Sequence, residues 1–484
     1  MKKLLPILIL TLVAAAFRFH AIGYQSFWYD EAVSAKLSQG SAWDLITGRT
    51  RDAGNPPLYY VTLNAWSALV GQGDAALRAL SALFGVLCVP LLYSIARRMF
   101  NETVGLVAAG ILSVAPFHVY LAQEARTYTL VTFLALLGIE ALQRALFAPR
   151  RSAWWILFTA ATFLAIYAHY FAFFLVLAEV IYVAIWYRRD RTVLMRVAAS
   201  LGVAALLYVT WLPALFGQAT TKGNLGRSAE TWTLHVMSTP LVYSVGTTLL
   251  WKDKMSLVRI VLGGLALLAF AVPAAVGLWR LRNDKRNGSL VLGWLGLPIL
   301  LPLVVSLLLF PFYTVRYSLL ASPAFYLAIA VGMLALPRWA WLACGAAMCL
   351  TATLSHATYF TTKVKHDWRG AVSRVESQAD PQDLVLFDTD FNEAVYARYA
   401  RGNQPRLRLL PAGSSEKQIL GVSHAGDPVL DVTHVIQQAP RAWLVLSDAG
   451  PRAWERYERV LGGHRVEAST SFRGIDVRLL VKRP

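Results

Sequence analysis

The chain has 484 residues, is 56% hydrophobic, and carries only 15% charged residues, with a net charge of +18. So low a charged fraction excludes a disordered or ordinary soluble protein and indicates a polytopic membrane protein. The basic excess does not indicate nucleic acid, because Lys and Arg cluster in short turns between apolar runs, where they set membrane orientation.

The N-terminus, MKKLLPILILTLVAAA, reads like a signal peptide ending at Ala14-Ala15-Ala16. Its apolar character continues to Ile22, long enough to cross, so an uncleaved first span is expected. About eleven spanning helices are expected, near 4–22, 76–96, 103–121, 127–147, 153–168, 171–187, 197–216, 257–279, 289–310, 317–336 and 339–358. The basic turns 97–98, 149–151, 187–191, 280–286 and 337–338 then share one side with Lys2-Lys3, which is the cytoplasm.

Between the first two spans lies an outer-face loop, 23–75, holding Asp30, Glu31, Asp44, Asp52 and Asp74. Within it, Pro57 to Val70 is apolar but short, the length of an interfacial or re-entrant helix. If it crossed, every later basic turn would move outside. A second outer loop runs from about Gly217 to Met255. The three cysteines, Cys88, Cys344 and Cys349, lie in apolar runs and form no disulfide framework.

After about Phe360 no run is long enough to cross. Helices are expected from Asp367 to Gln378, Asn392 to Tyr399 and Pro451 to Leu461, and strands at 383–387, 442–446 and 475–482. The alternation implies a small α/β domain. The expected architecture is therefore a polytopic α-helical membrane domain, 1–360, followed by a soluble extracytoplasmic α/β domain, 361–484.

The stretch QSFWYDEAVS at 25–34 puts Asp30 and Glu31 behind three aromatics that favour a membrane–water interface. Acids at a helix start are favoured by the helix dipole. A carboxylate beside a membrane surface can also act as a catalytic base, and that is the role expected of Asp30. Glu124 and Arg126, in QEAR, sit where the third span reaches the outer face, and Arg suits a bidentate phosphate contact. His169 and Arg316 lie at other outer turns, and Arg18 and Arg78 at outer span ends. Outer arginines run against the charge bias, which suits an anionic partner, although a snorkelling Arg needs none. Glu179 stands mid-span and is the best single argument for a transporter. Asp388-Thr389-Asp390 follows a strand and reads as a turn. No metal-ligand spacing stands out.

Five segments in order, a first span with Arg18 late in it, SFWYDEAVS, NPPLYY (55–60), ALRALSALFG (76–85) and PFHVYLAQEARTYTL (116–130), resemble the type C glycosyltransferases. More narrowly they are similar to the bacterial relatives of protein O-mannosyltransferases and of the lipid A aminoarabinose transferase. The detailed likeness covers about residues 1–190; Arg316-Tyr317-Ser318-Leu319 resembles a late family segment, and the C-terminal domain matches in placement and in its DWRGAV opening.

The resemblance implies a polyprenyl-phosphate-linked sugar donor, an active site at the outer face, Asp30 as catalytic aspartate and Glu31 as its acidic neighbour. It matches Glu124 and Arg126 to the donor-pocket motif and His169 to a recurring outer-turn histidine, and it adds Tyr59 and Tyr128 to these and to Arg18, Arg78 and Arg316 as substrate-binding candidates. The acceptor it implies is a protein, a glycolipid or a polysaccharide. The resemblance fixes no cofactor, and it leaves a divalent metal open. Many relatives have His where this chain has Asn55, which bears on acceptor contacts and metal dependence. The expectation is a multi-pass inverting glycosyltransferase of a bacterial inner membrane. The alternative is a flippase for lipid-linked sugars or another membrane transporter.

Overall fold

Apolar runs of about 20 residues can satisfy their backbone groups in a bilayer only as helices or closed barrels. A computed structural model of the chain, which describes residues 4–50, 52, 54–221, 238–248, 257–308, 313–387, 390–402, 404, 406–408, 439–447, 461 and 463–483, is helical over these runs. Two compact units emerge, Met1–Ile22 with Leu37–Phe360 and Gly23–Lys36 with Thr361–Pro484. The segment 23–36, expected to belong to the membrane domain, thus groups with the C-terminal residues.

The first unit is built from α1 (Leu5–Phe19), α3 (Ala42–Ile46), α4 (Leu58–Val70), α5 (Asp74–Met99), α6 (Glu102–Val114), α7 (Pro116–Ala122), α8 (Tyr128–Phe147) and α9 (Ser152–Ala168). It continues with α10 (Ala172–Trp186), α11 (Arg191–Tyr208), α12 (Leu212–Thr221), α13 (238–245), α14 (Leu257–Asn283), α15 (Lys285–Leu308), a 3-10 helix (Val315–Ala321), α16 (Ser322–Met333) and α17 (Arg338–Thr361). The helix α2 (Tyr29–Leu37) begins in the second unit. Among the described residues, six helical stretches are long and apolar enough to cross a membrane.

The single span expected over 103–121 is two helices, α6 and α7, bent by 56°. Pro116 causes the break: it occupies the first turn of α7, where its missing N–H costs nothing, and it would clash inside a continuous helix. The helix α4, entered through Pro57, has 13 residues. At 1.5 Å per residue it is about 20 Å long, short of the roughly 30 Å hydrocarbon core. Glycines let α14 and α16 approach closely. A Cβ at Gly277 of α14 would overlap the Ala328 carbonyl of α16, and one at Gly332 would overlap the Pro273 carbonyl. Small residues at such crossings let the backbones meet.

The second unit has a five-stranded mixed sheet of β1 (Leu384–Phe387), β2 (Arg406–Arg408), β3 (Arg441–Ser447), β4 (His464–Phe472) and β5 (Ile475–Lys482), ordered β2-β1-β3-β5-β4. The pairs β1–β2 and β1–β3 are parallel, while β5 runs antiparallel to both β3 and β4. The fully buried β1 is near-continuously apolar, as a central parallel strand must be. The helices α18 (Trp368–Glu376) and α19 (Asp390–Tyr399) cover the sheet. Trp368, Val372, Val375, Val385, Phe387, Tyr396, Trp443 and Val477 form the core with Ala32 of α2. Most of 451–461, and residues 388 and 389 of the Asp-Thr-Asp turn, lie outside the described residues.

Candidate active site

In the first unit, the turn after α7 is pinned from several sides. Gln123 ends α7, and its side-chain amide donates to the carbonyls of Phe17 (3.2 Å), Arg18 (3.1 Å) and His20 (2.8 Å) at the end of α1. The Arg126 carbonyl accepts from Ser81 Oγ of α5 at 3.0 Å, and Tyr59 OH lies 2.8 Å from the same Ser81 Oγ. Thr127 Oγ1 donates to the Ala168 carbonyl at 3.0 Å, tying the turn to the end of α9.

This frame holds a buried polar cluster. Asp52 Oδ2 accepts from Tyr60 OH at 2.6 Å and from Arg126 Nη1 at 3.1 Å, and Arg126 Nη1 also reaches Tyr60 OH at 3.0 Å. Asp52 Oδ1 accepts from the Gly54 amide at 2.5 Å, the two-residue turn that Asp favours, and from Asn55 Nδ2 at 3.3 Å. Burial pushes the Asp52 carboxyl up, but the Arg126 charge and the bonds from Tyr60 and Gly54 outweigh it and hold it below the usual carboxylate value. The Arg126 guanidinium is thus held by Asp52 and Tyr60 in a site that is largely shielded from water.

His169 caps the end of α9 and is buried. Its Nδ1 accepts from the Phe171 amide at 3.1 Å, so in the neutral ring the proton sits on Nε2. The ring lies 5.1 Å from the Tyr317 ring and 6.2 Å from that of Tyr128. Tyr317 follows Arg316 on the 3-10 helix, whose Ser318 is bonded by Tyr243 and Tyr313. Arg316 is half-buried. Tyr59, Arg126, Tyr128, His169 and Tyr317, from widely separated motifs, are therefore gathered in one region of the unit. Glu124 is buried in the same turn as Arg126.

Arg18 and Arg78 are turned inward. Arg18 is wholly buried and donates to the carbonyls of Ala14 (3.2 Å), Ser113 (2.8 Å) and Leu112 (3.0 Å), with His118 Nδ1 at 3.0 Å. Leu112 and Ser113 end α6, the negative end of a helix dipole. Arg18 is a clamp across the α6–α7 break, where the sequence suggests a substrate contact at a span end. Arg78, also wholly buried, donates to the Ile22 carbonyl at 3.0 Å.

In the second unit, Asp30 and Glu31 occupy the first turn of α2. Asp30 is partly exposed, whereas Glu31 is fully buried with its Oε2 3.1 Å from Lys365 Nζ. Among the described residues no group of three His, Cys, Asp or Glu side chains could hold a metal ion.

Sequence reasoning does not single out Asp52, Tyr60, Gln123 or Lys365. The Asp-x-Gly-Asn-Pro-Pro run at 52–57 could have marked Asp52 as a turn-forming acid beside NPPLYY. Lys365 lies in a connecting stretch and carries no local signal.

Residues 54–215 match the family model described as dolichyl-phosphate-mannose-protein mannosyltransferase. No curated protein matches the chain. Among solved structures, it is similar to ArnT from Cupriavidus metallidurans in the apo state, with 15% identity over 98% of this chain and 97% of that one, at a TM-score of 0.63. The same protein bound to undecaprenyl phosphate gives 14% identity over the same shares and a TM-score of 0.60. The archaeal oligosaccharyltransferase AglB from Archaeoglobus fulgidus, in complex with an inhibitory peptide and a dolichol-phosphate, is 12% identical over 99% of this chain and 74% of that one, at a TM-score of 0.55. At these identities the structural likeness is one of fold.

Proposed function

We propose, from the family-model match over 54–215 and the shared fold, that the chain is a membrane glycosyltransferase of the type C superfamily. It moves a sugar from a polyprenyl-phosphate-linked donor to a protein, glycolipid or polysaccharide acceptor at the outer face of a bacterial cytoplasmic membrane. The chain crosses about eleven times from a cytoplasmic N-terminus, with its C-terminal α/β domain outside. The observation that carries this reading is that the matched stretch, 54–215, contains the buried Tyr59–Ser81–Arg126 frame and supplies Tyr60 and Arg126, which meet Asp52 just before it. Relatives of the same fold, bound to undecaprenyl phosphate or dolichol-phosphate, support a lipid-linked donor.

In the reaction, an acceptor oxygen attacks the anomeric carbon from the face opposite the phosphate, and one displacement inverts that centre. Asp30 takes the acceptor's proton as general base. The polyprenyl phosphate leaves with growing negative charge, which Arg126 and Arg316 offset. A cation in a shielded site does this more strongly than one in water.

The test is transfer from a panel of radiolabelled polyprenyl-phosphate sugars in membranes containing the protein. Protein-dependent transfer from one donor is expected. Movement of the lipid across the bilayer with no transfer from any donor would replace this reading with a flippase.

A further inference from the structure

Asp30 and Glu31 are adjacent on a helix, so their side chains leave it about 100° apart. One is partly exposed and the other fully buried. That geometry divides their tasks. Glu31 meets Lys365 at 3.1 Å, and both side chains are almost wholly removed from water, at 0% and 4% exposure.

The pair belongs to a longer set of ties, all within the second unit. Gln25 Nε2 donates to the Thr362 carbonyl, and Gln25 Oε1 accepts the amides of Val364 and Lys365. Arg369 Nη2 donates to the carbonyls of Gly23 and Gln25. On another side, the Phe27 amide donates to Tyr399 OH at 2.7 Å, and the Arg398 guanidinium lies over the Phe27 ring. Ala32 completes the anchor by entering the apolar core beside Trp368 and Tyr396. The connecting strip 361–369 and the end of α19 thus grip the segment that carries Asp30.

We infer that the C-terminal domain is the scaffold of the catalytic base, and that Glu31 and Lys365 are positioning residues that lock the start of α2 through a buried ion pair. This rests on the reading of Asp30 as base. It assigns Glu31 away from contact with the reacting atoms, and it gives the soluble domain a part in turnover beyond seating the acceptor.

The experiment compares full-length wild type with Glu31→Leu, Lys365→Met, Lys365→Arg and the Glu31→Leu/Lys365→Met double variant. Two readouts are taken: sugar transfer, resolved into kcat and donor KM, and hydrogen–deuterium exchange of peptides covering 23–36. Removing one partner strands the other charge in the interior, whereas removing both leaves apolar groups of similar size. A misplaced base lowers turnover by about 10²-fold, and that loss is expected in kcat for each neutral single variant, with donor KM little changed. The double variant should recover at least about tenfold over either single, a coupling that independent sites would not show. Lys365→Arg should stay close to wild type. Exchange of 23–36 should quicken in the neutral singles and slow again in the double.

A double variant no more active than Glu31→Leu would overturn the inference, because Glu31 would then act on substrate itself. So would a Lys365→Met protein with wild-type turnover and wild-type exchange. If the wild type transfers no sugar, the enzymatic reading fails, and the exchange pattern alone decides whether Lys365 holds the segment.

Discussion

Arg126 donates from Nη1 to Asp52 Oδ2 at 3.1 Å, with side-chain exposures of 4% and 11%. A cation so placed is held in one orientation by its acid and by Tyr60, and it stays charged while shielded from water. Removing one member of a buried pair leaves the other uncompensated, a loss of about 3–5 kcal/mol. Asp52→Ala should therefore destabilise the protein more than Asp52→Asn, which keeps an acceptor for Tyr60. Thermal unfolding in detergent checks the order.

The Asp52 carboxyl titrates below its unfolded value, so its contribution to stability is full above the unfolded pKa and is lost as pH falls through the folded one. The stability gap between wild type and Asp52→Asn should be constant near neutrality and close on the acid side of the ordinary carboxylate range. Unfolding temperatures measured across acidic buffers would show it. A gap that closed only on raising the pH would contradict the assignment.

Arg126→Lys should not restore what Arg126→Gln loses, because the Lys ammonium sits one bond short of the Nη1 that meets both Asp52 and Tyr60 and lacks the rest of the planar guanidinium. Loss of a single electrostatic stabiliser typically lowers turnover by about 10²–10³-fold, and both variants should fall in that range. Steady-state transfer with the identified donor is the assay.

Gly85 touches the Arg18 clamp. A Cβ there would lie 2.9 Å from Ala122 Cβ and 3.0 Å from Arg18 Nε. Gly85→Ala should destabilise by about 1–3 kcal/mol through overpacking, whereas Gly71→Ala meets no neighbouring atom and is strained only by its positive backbone angle. Denaturation of the two variants separates these causes.

The helical body was legible because apolar length and basic turns are local signals. Pro116 was visible too, yet the run 103–121 reads as continuous by hydropathy, and only the bend reveals the break. Short β2 and the edge strand β4 escaped because burial along β4 alternates weakly, with most residues wet. At the candidate site, Tyr59, Arg126 and His169 came from recognisable motifs. Asp52 and Lys365 did not, since an ion pair linking positions 52 and 126, or 31 and 365, leaves no trace in either neighbourhood. Arg18 shows the converse: a span-end arginine suggests an anionic ligand, and here helix-end carbonyls take that place.

The most direct measurement is transfer from the donor identified in the panel, comparing wild type with Asp30→Asn at equal protein level in membranes. General-base catalysis contributes about 10²–10⁴-fold, and a fall of that size in kcat with the protein still folded is the predicted result. Equal transfer by wild type and Asp30→Asn would remove Asp30 from the mechanism.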